Sequence, residues 1–102
     1  MTAEQITALL KTSGLPVVYG YWKKPPPLPY IVWLESGTSN FFADGKVFLR
    51  KSRVQAELYT AEKDTETEQA LENALQGIGW EKTSEIWLES EKFFQLIYEF
   101  EV

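Results

Sequence analysis

Five glutamates near the end of the chain are the side chains best placed to do chemistry: Glu85, Glu89, Glu91, Glu99 and Glu101. If the last two strands pair as a hairpin, the first three come near the last two. Two facing carboxylates can divide acid and base roles at a glycosidic bond, or hold a divalent cation through oxygen. The same residues on the outer face of a strand are ordinarily there for solvation, and that reading is favoured. The run lacks the Asp/Asn/Gly loop of a calcium site. Like charges directly opposite one another cost stability. A face of this kind asks for a basic partner surface.

The other reactive groups are missing. The 102 residues contain no His and no Cys, which excludes Ser–His and Cys–His nucleophile pairs, thiolate metal sites and disulfides. The phosphate-cradling pattern G-x-x-x-x-G-K-[ST] is absent. Its nearest approach is Gly37 with Gly45 and Lys46, which has neither the spacing nor a following helix. The expectation is a protein with no catalytic residues, no bound metal and no cofactor. Trp22, Trp33, Trp80 and Trp87 can build a pocket for bases or sugars. A domain this small needs them for its core, so burial is the expected role. Phe41 and Phe42 are expected to plug the edge of that core. Residues 23–29 include Pro25, Pro26, Pro27 and Pro29. The run is expected to be a stiff connection between strands, and alternatively a ligand for a proline-recognising groove.

Composition bounds the class. A chain of this length makes one domain over residues 1–102. Hydrophobic residues at 44% and aromatics at 15% are enough for a core. No apolar run approaches the roughly 20 residues of a membrane span, and residues 1–5 do not resemble a signal peptide. The expected setting is a cytoplasm. The net charge of −5 is unevenly spread. Residues 1–53 sum to +4 and residues 54–102 to −9. Acidity overall disfavours binding to DNA sequence. Two solvated surfaces of opposite sign are the plain interpretation. Head-to-tail contact between copies is the sharper one.

These side chains must be positioned by local structure. Thr2 and Gln5 have capping-box spacing before Ile6, Leu9 and Leu10, predicting a helix over residues 3–12 that ends at Gly14. Residues 15–22 read as a strand, with Gly20 marking a bulge or a close backbone approach. Residues 30–35 read as the second strand and 36–40 as a polar loop. Asp44-Gly45 is a turn signal. Residues 47–49 and 53–59 read as two further strands. Thr65 and Glu68 repeat the capping-box spacing at the head of a second helix, with Glu66, Glu68, Glu72 and Asn73 towards water. Residues 80–88 and 93–102 read as the last two strands around a turn at 89–92. In the last of these, Phe94, Leu96, Tyr98 and Phe100 alternate with Gln95, Ile97, Glu99 and Glu101, giving one apolar and one mostly acidic face. A chain ending inside its own sheet is expected to be a complete small domain. The expected fold is α+β, a mainly antiparallel sheet flanked by two helices in the order α-β-β-β-β-α-β-β.

Three stretches carry a family resemblance: residues 30–49, YIVWLESGTSNFFADGKVFL; residues 54–64, VQAELYTAEKD; and residues 86–102, IWLESEKFFQLIYEFEV. Together they resemble the head–tail junction proteins of tailed bacteriophages and prophages, in particular the tail terminator or tail completion family. The resemblance covers the chain from about Leu15 to Val102. It rests on patterned strands rather than on a chemical signature. It implies a non-enzymatic virion protein of the tail neck, made in the host cytoplasm. Copies would form a ring, expected to be a hexamer, between the tail tube protein and the head connector or stopper protein. An acidic lumen would let DNA pass without sticking. The expected partner contacts are Lys23, Lys24, Pro25, Pro26, Pro27 and Leu28 in the proline loop, Phe41 and Phe42, and Glu99 and Glu101. The alternative is a small interaction adaptor that uses the proline-rich loop or a sheet edge.

Overall fold

A computed structural model describes residues 1–102, the side chain of Phe48 excepted. Helix α1 spans Ala3–Lys11. Its capping box forms as the spacing predicts: Gln5 N donates to Thr2 Oγ1 at 3.1 Å and Thr2 N donates to Gln5 Oε1 at 2.8 Å. Gly14, at φ +85°, supplies the left-handed residue that ends this segment. Strand β1 is only Val17–Tyr19, shorter than expected. Gly20, at φ +82°, turns the chain out of the sheet, and nothing lies within 4 Å of where its Cβ would be. It is a turn residue rather than a point of close approach.

Strands β2 (Tyr30–Ala43) and β3 (Lys46–Thr60) form one long hairpin. Here the structure corrects the sequence expectation. The polar stretch 36–40 is strand rather than loop, and the strands expected at 47–49 and 53–59 are a single strand. The physical reason is exposure. Beyond Ser52 the two strands pair only with each other, so both faces meet water and no apolar alternation is required. Asp44 (φ 52°) and Gly45 (φ 72°) close the hairpin, both in the left-handed region that a two-residue primed turn needs.

Helix α2 spans Thr65–Ala74. Its cap is Asp64, one residue earlier than expected, with Thr67 N donating at 3.1 Å and Thr67 Oγ1 at 2.7 Å. This hydrogen bonding holds the Asp64 carboxyl below its ordinary range. Strands β4 (Trp80–Leu88) and β5 (Phe93–Glu101) complete a five-stranded sheet of order β1-β2-β3-β5-β4. The β1–β2 pair is parallel and every other pair antiparallel. The fold is therefore α+β with a mostly antiparallel sheet. Among the described residues no helix is long and apolar enough to cross a membrane.

Both helices pack on one face of the sheet. That face carries Ile31 and Trp33, then Val54, Ala56 and Leu58, then Leu96, Tyr98 and Phe100 in register. Ile6, Leu10, Leu71 and Leu75 seal it from above. Fully burying a large apolar side chain of this kind is worth about 1.5–3 kcal/mol. Trp33 is 2% exposed, and its indole N–H donates to Thr7 Oγ1 at 2.9 Å, tying β2 to α1. Trp33 is the one tryptophan wholly in the core. Trp22 and Trp80 are half-buried, and Trp87 is 42% exposed.

Candidate assembly surfaces

The hairpin leaves the body of the domain as an arm. Val102 and Ser52 exchange backbone hydrogen bonds of 2.8 and 3.0 Å, the last tie between β5 and the arm. At the root, Ser52 Oγ donates to Glu35 Oε2 at 2.7 Å and Arg50 Nη2 meets Glu35 Oε1 at 3.0 Å. These contacts anchor an otherwise two-stranded ribbon, which needs such support to hold its direction. The molecule measures 50 × 26 × 23 Å, twice as long as it is wide, because of the arm.

At the arm's tip Phe41 pairs with Leu49 and Phe42 with Val47. All four are more than half exposed, from 52% to 62%. The expectation that Phe41 and Phe42 plug a core edge is overturned. Here Phe41 and Phe42 lie far from the helices, and burial cannot explain them. The arm also carries Lys46, Arg50, Lys51 and Arg53 against the single acid Asp44. Only Arg50 has an ion pair among the described residues.

The sheet face away from the helices divides into two halves. One is covered by the proline loop. There Trp22, Tyr30, Tyr59 and Phe93 form a chain of T-shaped and tilted ring contacts with centroids 5.2 to 5.9 Å apart, and Pro25 borders the same cleft. Tyr59 Oη donates to Glu57 Oε1 and accepts from Gln95 Nε2, both at 2.8 Å. Burial, foremost, pushes the Tyr59 hydroxyl up to about 12. Lys23, Lys24, Pro25 and Pro27 are exposed on this loop, while Pro26 and Leu28 are half-buried.

Among the described residues nothing covers the other half. Ile86 on β4 and Ile97 on β5 form an apolar strip, flanked by Glu81, Glu99 and Glu101. Glu81 stands directly opposite Glu99 in the β4–β5 register, and Glu101 opposite Arg53 in β3–β5. None of these four charges has an ion pair among the described residues. A groove of about 670 Å³, bordered by Lys51, Arg53, Glu81, Glu99 and Glu101, joins this face to the root of the arm.

The five-glutamate constellation does not assemble. Strands β4 and β5 do pair, but Glu85 lies opposite Leu96, on the helix side. Glu89 and Glu91 lie at the β4–β5 turn, at the far end from Glu99 and Glu101. Glu85 joins an alternating network instead. Lys63 Nζ lies 2.7 Å from Glu68 and 2.9 Å from Glu85, and Lys82 Nζ lies 3.3 Å and 2.9 Å from the same two carboxylates. Hydrogen bonds from Lys82 and then Lys63 hold the Glu85 carboxyl below its usual range. Donating hydrogen bonds to Glu68 and then Glu85 pushes Lys63 up, and donating foremost to Glu85 does the same to Lys82. Glu68, expected to face water, is 6% exposed at the centre of this network. Glu72, also expected to be solvated, accepts the Tyr98 hydroxyl at 2.7 Å. Glu89 is held down by Lys92, then by the Trp87 indole. Balanced charges of this kind brace α2 against β4.

The chain thus defines an α+β domain with one helix-covered sheet face, one half-open face and a projecting basic arm. No protein-family model matches it, and no curated protein matches it either.

Proposed function

We propose that this protein is a structural subunit of the neck of a tailed phage or prophage, built into a ring at the head-proximal end of the tail as a tail terminator. The observation that carries the reading is the arm: a ribbon hydrogen-bonded at its root and tipped by Phe41, Phe42, Val47 and Leu49, all exposed. Apolar side chains grouped at the end of a projection are stable in use only against another surface. The chain resemblance supplies which surface, namely neighbouring copies, the tail tube protein and the head connector. The domain contributes geometry and contact area, and no turnover. The β4 edge and the proline loop remain open to strand or groove recognition, which is the basis of the adaptor alternative.

Co-sedimentation with assembled tail tubes of the parent phage tests this reading. The expected result is a fixed small number of copies per tube, whatever the tube length, as end binding requires. Failure to pellet with tubes, or an amount proportional to tube length, overturns it.

A further inference from the structure

The arm and the open sheet face complement each other in charge and in apolar content, and the arm is short enough to lie within the face. Lys46 and Lys51 on the arm are exposed and lack ion pairs among the described residues, as do Glu81 and Glu99 on the face. The arm has five residue pairs beyond Ser52, roughly 17 Å at ~3.3 Å per residue. Strands β4 and β5 have nine residues each, about 30 Å on the same rise. At its root the arm is tied to its own domain through Glu35, Arg50 and Ser52.

We infer that the arm of one copy lies along the open β4–β5 face of a second copy, with Lys51 against Glu81 and Glu99, the apolar tip over Ile97 and Ile86, and Lys46 beyond them. This deepens the neck-subunit reading by naming the contact between copies, and it rests on that reading only for its biological setting. Because arm and face are different patches, the contact is heterologous. Repeated with closing rotation it makes a ring, and without closure a filament. The facing carboxylates Glu81 and Glu99 then gain an ion pair that neither has among the described residues of the monomer.

Paired charge reversals test it. The arm variant carries Lys46→Glu and Lys51→Glu, and the face variant Glu81→Lys and Glu99→Lys. Light scattering follows mass against concentration at low salt. Wild type is expected to associate, and added salt to weaken it. Each variant alone is expected to dissociate at least about tenfold more readily, since like charges now meet. An equimolar mixture of the two is expected to recover wild-type association, because each arm again finds an opposite face. Recovery also shows that both variants are folded. Wild type that stays monomeric throughout, variants that associate normally, or a mixture that does not recover would each overturn the contact. The tube co-sedimentation above uses wild type alone, so the neck reading can stand or fall independently of this result.

Discussion

Glu81 and Glu99 face each other across β4 and β5, with no cation bound to either among the described residues. In an isolated domain this arrangement is a cost, because directly opposed like charges repel. Replacing one acid by its neutral isostere, Glu99→Gln, is expected to stabilise the monomer by roughly 0.2–1 kcal/mol. The same change is expected to weaken association between copies. Urea unfolding at low concentration measures the first effect and light scattering the second. Equal loss of both would mean that Glu99 serves the fold, not a contact.

Tyr98 is fully buried, and its hydroxyl reaches Glu72 Oε2 at 2.7 Å, joining β5 to α2. Tyr98→Phe keeps the ring and removes the donor. A hydrogen bond to a charged group contributes about 1.5–3 kcal/mol, so the urea midpoint is expected to fall accordingly, with an unchanged slope. An unchanged midpoint would show that water serves Glu72 equally well.

The tyrosines set an alkaline limit on stability. Burial raises Tyr30, Tyr59 and Tyr98 above the ordinary value, Tyr59 to about 12. A group raised in the folded state contributes fully below its unfolded pKa and loses that contribution as pH climbs to the folded value. The melting temperature is therefore expected to drop as pH rises from about 10 towards 12. Tyr59→Phe should make this drop shallower. The Lys63–Glu68–Lys82–Glu85 network adds the opposite limit. The lowered Glu85 contributes above the usual carboxylate range and is lost as pH falls through its folded value.

The arm tip is expected to be dispensable for folding. Phe42→Ser with Leu49→Thr changes two exposed side chains outside the core. Surface changes of this kind usually stay within about 0.5 kcal/mol, so thermal unfolding should barely move. Tube binding should fall strongly. A large drop in melting temperature would instead assign the tip a structural role.

The elements buried on one face were legible in the sequence. The period-two pattern of β5 and the capping box of α1 both form as read, because burial and local hydrogen bonding impose their own spacing. The arm was not legible as a strand, since Ser36, Thr38, Ser39 and Asn40 sit in a ribbon wet on both sides. One signal was available: Asp44-Gly45 flanked by Phe41-Phe42 and Val47-Leu49 is a hairpin end. Lys46 and Lys51, the lysines of the proposed contact, lie on this same ribbon. The Glu68 network was hidden because helical spacing places Glu68 among solvated acids, while the lysines that bury it come from residues 63 and 82. Glu99 and Glu101 do lie together on an exposed face, as the alternation implied.

Electron microscopy of tail tubes, with and without this protein, addresses the proposed role most directly. Tubes incubated with the wild-type chain should carry a ring of extra density at one end only, with arms bridging successive subunits. Bare tube ends at saturating protein, or density scattered along the walls, would contradict it.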